Sequence, residues 1–167
     1  MKTVRRIGTI LAAVAGLGLV APVAAEAGTV SVTWGCGTFG GPSGIKTFEI
    51  TVTAPATATA GQTVTVHIDV LHVTPWGPAA AAGTYTGRAG LDLGGAASGH
   101  VQAYNLTNPE IAAGAPFRMT GGTVQVTLPT AGQVTFATTG YVQFAPSGMW
   151  FSCGGGAAPV AATTQVS

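Results

Sequence analysis

Residues 63–70 read Thr-Val-Thr-Val-His-Ile-Asp-Val. Val64, Val66, Ile68 and Val70 alternate with Thr63, Thr65, His67 and Asp69, so one side of the segment is apolar and the other polar. A strand turns successive side chains to opposite faces, and valine, isoleucine and threonine favour that state. The stretch therefore predicts a β-strand with one buried face. The same period recurs along the chain. Phe48, Ile50 and Val52 alternate with Thr47, Glu49, Thr51 and Thr53; Val124, Val126 and Leu128 repeat the pattern, as do Val134 and Phe136. Turn chemistry separates these runs at 54–62, at Gly94-Gly95, at Gly121-Gly122 and from Pro129 to Gly132.

No window sustains a helical period. In 107–117, Pro109, Gly114 and Pro116 leave room for one helical turn at most. About eight strands are predicted, near 30–36, 46–53, 62–73, 83–93, 99–106, 122–128, 133–139 and 141–153, the last with a break at Pro146. Short, regularly spaced strands joined by Gly/Pro turns predict an all-β fold. The expected architecture is an immunoglobulin-like antiparallel β-sandwich of about eight strands.

The N-terminus has the layout of an export signal. Lys2, Arg5 and Arg6 precede an apolar run from Ile7 to Val20, Pro22 ends it, and Ala25-Glu26-Ala27 offers small residues before Gly28. The run is shorter than the roughly 20 residues of a membrane-spanning helix. Residues 1–27 are expected to be a secretory signal peptide, 28–154 the β-sandwich domain, and 155–167 a C-terminal tail, an edge segment running into flexible chain. No stable membrane span is expected after cleavage, and the protein is expected to be secreted, extracellular or attached to the cell surface. In such a compartment the two cysteines, Cys36 and Cys153, predict one disulfide stapling the domain.

Only 7% of the residues are charged. Beyond Gly28 these are Lys46, Arg88 and Arg118 against Glu49, Asp69, Asp92 and Glu110. Nucleic-acid binding needs a basic stripe to neutralise phosphates, and attraction to anionic lipid needs a polybasic cluster. Neither exists here. The surface must instead be built of Thr, Gly, Gln, Ser and Ala, which suits a wall or polymer matrix and leaves self-association open.

The segment order Cys36, then 54–70 with Pro55 and Gly61 bracketing a turn, 80–95, 128–136 and Trp150-Phe151-Ser152-Cys153 resembles a small secreted actinobacterial immunoglobulin-like domain family of unknown function. The likeness spans roughly Val30 to Val160 and rests on strand and turn patterns. It implies an exported sandwich and brings no catalytic residues.

Candidate sites are few. His67 and Asp69 share a strand face, with Glu49 a candidate neighbour, a weak metal-ligand set for which a solvated polar face is the better explanation. Ser98 and His100, with Asp92 or Asp69, have the residue types of a nucleophilic triad but lack a strained nucleophile turn. Four acidic residues after Gly28 make a glycosidase pair unpromising. The aromatics carry more. Trp76, in Thr-Pro-Trp-Gly-Pro, either stacks on a partner or plugs the open end of the sandwich; Tyr85 and Tyr104 are further binding candidates, while Trp34 and Trp150 are expected in the core near the bridge. No cofactor is implied. The expected function is a non-enzymatic interaction module for cell wall, extracellular polymer or a surface protein. The alternatives are a glycan- or small-ligand-binding protein using exposed aromatics and a hydrolase with an unrecognised site.

Overall fold

The computed structural model describes residues 24–38, 41–75, 77–156 and 158–167. Residues 1–23, most of the expected signal segment, and Trp76 lie outside them. The period-two segments are all strands: β1 (Ala25–Thr38), β2 (Gly41–Pro55), β3 (Thr57–Ala58), β4 (Thr63–Pro75), β5 (Thr86–Gly95), β6 (Gly99–Thr107), β7 (Pro116–Thr127), β8 (Gly132–Phe144), β9 (Trp150–Gly154) and β10 (Val160–Val166). Among the described residues no helix is long and apolar enough to cross a membrane.

The expected sandwich is corrected to a closed barrel. The strands form one sheet in the order β8-β5-β6-β7-β4-β2-β1-β9, and β9 pairs back onto β8, so eight antiparallel strands complete a ring. Alternation fixes which residues face inward but is identical for a sandwich and a barrel. The difference lies in what the edges pair with, and here the edge of β1 meets a short strand from the far end of the chain.

An eight-stranded barrel has an interior that side chains can just fill. Trp34, Phe48, Phe117, Met119, Phe136 and Tyr141 fill it, with Ile50, Ile68, Leu91, Leu106 and Leu128 between them, all at most 1% exposed. The outer face explains the abundance of threonine. Hydroxyl pairs link neighbouring strands at Thr29–Thr51 (2.8 Å), Thr33–Thr47 (3.2 Å) and Thr63–Thr127 (2.9 Å). Cross-strand pairs of this kind stabilise a sheet by a few tenths to about 1 kcal/mol each.

The seam is closed by two short strands in series. Near one end, called the upper rim here, β9 lies between β1 and β8, with Gly35–Thr38 on one edge and Gly140–Phe144 on the other. Cys36 and Cys153 are direct partners in the β1–β9 register, and their disulfide is present. Near the other end β10 takes over, antiparallel to β8 and parallel to β3. Residues 155–167, expected as an edge segment running into flexible chain, contain a strand to Val166 that buries Ala161, Ala162, Thr164 and Val166. The Thr164 hydroxyl donates to the Pro55 carbonyl at 2.7 Å.

The expected pair of strands at 133–139 and 141–153 is redrawn as well. Gly140 is not a turn. It sits within β8, where a Cβ would come within 3.0 Å of the Cys153 carbonyl oxygen, so glycine serves close strand approach there. The chain reverses instead around Pro146 and Gly148.

Candidate functional site

The upper rim gathers the ends of β1, β4, β6 and β8 and the connections leaving them. The β8–β9 turn is set by two backbone bonds, Gly148 N–H to the Ala145 carbonyl (3.0 Å) and Ala145 N–H to the Met149 carbonyl (2.8 Å). Gly148 takes φ of 80°, a conformation open to glycine. The turn sets Trp150 opposite Phe144, and Phe151 opposite both Gln143 and Thr38.

A second anchor is Asn108, 1% exposed. Its Oδ1 accepts the Tyr85 N–H (2.7 Å), and its Nδ2 donates to the carbonyls of Ala81 (2.7 Å) and Pro109 (2.8 Å). One buried amide thereby ties the β4–β5 connection to the β6–β7 connection. Tyr85 is held at the rim, its ring edge-on to Phe117 with centroids 5.3 Å apart.

Between these anchors lies an open depression of about 260 Å³ lined by Thr38, Tyr85, Gln143, Ala145, Met149, Trp150 and Phe151. None of these is an acid, a base or a histidine. Met149 is 58% exposed and Trp150 38%. Gln143 is the polar residue of the lining that is itself buried, at 4% exposure. Its Oε1 accepts the Tyr141 hydroxyl at 3.0 Å, and no hydrogen bond among the described residues uses its Nε2 amino group.

Beneath this floor His72 stands among rings. Phe48 and Phe117 meet it edge-on at 4.7 and 5.0 Å, Tyr141 at 5.7 Å, and Phe151 stacks at 5.8 Å. Burial, with a smaller contribution from the Lys46 charge, lowers its pKa from 6.5 to about 4. Burial also holds the Tyr141 phenol well above its ordinary value. Both groups are therefore neutral near pH 7.

The residues singled out in the sequence disperse over the molecule. Tyr85 lines the depression. Tyr104 projects from the outer wall on β6, 53% exposed, its hydroxyl donating to Gln102 Oε1 at 3.2 Å beside a separate hollow. Trp34 is core, as expected, whereas Trp150 is at the rim rather than inside. His67 and Asp69 face outward on β4, and Asp69 accepts the Gly121 N–H at 3.0 Å. No three His, Cys, Asp or Glu side chains converge among the described residues. Asp92 and His100 do meet across β5 and β6, at 2.9 Å, while Ser98 lies in the connection before β6.

Gln143, Met149 and Phe151 were missed. The signal for two of them was strand parity. With Cys153 facing inward, Phe151 must face in and Trp150 out, and with Tyr141 inward, Gln143 follows. No protein-family model matches the chain, and no curated protein or solved structure does.

Proposed function

We propose that the protein is an exported, non-enzymatic β-barrel module that binds an uncharged polymer of the cell wall or extracellular matrix through the upper-rim depression. The Cys36–Cys153 disulfide suggests an oxidising, extracellular-type environment, and the N-terminal layout supports export. The resemblance to a secreted actinobacterial domain family makes an actinobacterial surface the proposed setting.

The observation that carries the reading is the lining itself. A large ring exposed at the open end of a barrel with a polar outer wall, as Trp150 is, costs free energy unless it serves a contact. Tyr85 and Trp150 flank a hollow whose lining, among the described residues, has no Asp, Glu, Lys, Arg or His, and flat rings of this kind pack on the apolar faces of sugar rings. The test is co-sedimentation of the full chain with purified cell wall and with insoluble polysaccharides. Retention in a pellet is expected, with Trp150→Ala weakening it roughly fivefold, the equivalent of about 1 kcal/mol for one ring contact. Equal retention of both proteins, or retention in no pellet, would count against the depression as the binding site.

A further inference from the structure

We propose that the depression receives the acetamido arm of an N-acetylated amino sugar, with Gln143 Nε2 donating to the acetamido carbonyl. The inference rests on the proposed polymer-binding role of the same depression and adds its ligand class.

Three features select this group. The first is the buried amide. Gln143 is more than nine-tenths buried, and while its Oε1 accepts the Tyr141 hydroxyl, no hydrogen bond among the described residues uses its Nε2 donors. What it offers the depression is a donor, so the matching ligand atom is an acceptor. A buried donor left unmatched costs about 1–3 kcal/mol, which makes that acceptor a requirement of tight binding.

The second is the apolar remainder. Ala145, Met149, Trp150 and Phe151 line the hollow. A hexose ring pushed into it would bring several hydroxyls away from water with too few partners, each at a cost. An acetamido group instead presents one carbonyl and one methyl: the carbonyl meets Gln143 and the methyl rests on Phe151, Met149 and Ala145. Trp150, 38% exposed, offers a ring face to the attached sugar, with Tyr85 and Thr38 also along the hollow.

The third is charge and size. Among the described residues no Asp, Glu, Lys, Arg or His lines the site, so a free ammonium or carboxylate would be desolvated without compensation. A hollow of about 260 Å³ is small beside typical ligand pockets of roughly 300–1,000 Å³, which suits one side arm with its sugar held at the lip.

The experiment is calorimetric titration of the full, disulfide-bonded chain with three trisaccharides: the trimer of N-acetylglucosamine, its de-acetylated amine form, and the glucose trimer. The N-acetylated trimer is expected to bind at least about tenfold more tightly than either of the others, the equivalent of one buried hydrogen bond. Gln143→Glu keeps an acceptor for Tyr141 but removes the amino donor; Gln143→Met removes both polar functions at similar volume. Each is expected to abolish most of that preference, with near-UV circular dichroism confirming a native core. Comparable affinity for all three sugars would overturn the acetamido assignment, as would a folded Gln143→Met that keeps the preference. If neither variant folds, the three-sugar comparison on the unaltered chain decides alone. No binding of any trimer while wall pellets retain the protein would refute the acetamido group and leave the polymer role standing; no binding in either assay would refute both.

Discussion

His72 shows how one side chain ties the interior of the barrel to solution pH. It is 6% exposed, with the rings of Phe48, Phe117, Tyr141 and Phe151 against it. The folded protein therefore disfavours protonation and holds its pKa at about 4 against 6.5 in the unfolded chain. The sign follows from linkage. Below 6.5 the unfolded state takes up a proton that the folded state refuses, so stability is full above 6.5, falls as pH drops, and stops falling once pH passes below 4. The whole loss amounts to about 3 kcal/mol. Urea unfolding at intervals from pH 7.5 to 3.5 should show it, and His72→Phe, which keeps a ring in place, should lack that component. Carboxylates titrate in both proteins, so the difference between the two curves isolates the imidazole. Parallel curves would mean that His72 protonates without leaving its ring environment.

At the scale of elements, β9 explains why the disulfide sits where it does. A strand of only five residues, Trp150–Gly154, must hold two edges at once, β1 on one side and β8 on the other. The covalent link at Cys36–Cys153 joins partners 117 residues apart in sequence, which by chain-entropy reasoning stabilises the fold by about 5 kcal/mol. That is a large share of a typical total of about 5–15 kcal/mol. Replacing both cysteines by serine should lower unfolding free energy by roughly that amount, and amide exchange should accelerate first in β9 and in Gly35–Thr38. A change below about 1 kcal/mol would show that β9 holds through its ladder bonds alone. Strand positions and the bridge were legible because alternation and cysteine pairing are local or compositional signals. Closure was not, because Val134 and Phe136 alternate identically whether β8 borders one strand or three. The depression was half legible for the same reason: Tyr85 stands out as a ring, whereas Gln143 matters only because Tyr141 occupies its oxygen. β10 was hidden by composition, since Ala161, Ala162 and Thr164 are small, and only packing shows that they are buried.

For the molecule as a whole, polarity runs from an apolar interior to a polar wall. Thr29, Thr33, Glu49, His67, Asp69 and Gln165 point outward while Phe48, Ile68 and Phe136 fill the centre. A lipid-spanning barrel needs an apolar outer band, the opposite arrangement. The order of pairing then governs how the fold can form. β1 meets β9, β3 meets β10, and β8 meets both β9 and β10, so the ring stays open until β9 arrives and β10 docks later still. Such long-range pairing delays folding, because loop closure must precede the contacts that offset it. This suits a chain that crosses a membrane before it folds, as the export reading requires. It also makes β10 a requirement of the core rather than an ornament. Gly28 of β1 lies so close to the Ala161 carbonyl that a Cβ would overlap it, and Val166 is 1% exposed. Removing residues 158–167 should uncover Phe136 and Val134 along the lower half of β8, since Val134 pairs with Thr164 and Phe136 with Ala162. The shortened chain is expected to lose its near-UV circular dichroism and its cooperative thermal transition while keeping β-type far-UV signal and binding a hydrophobic dye. A sharp, two-state melt from the shortened chain would show instead that β9 and the disulfide close the barrel unaided, with β10 a late addition to a finished wall.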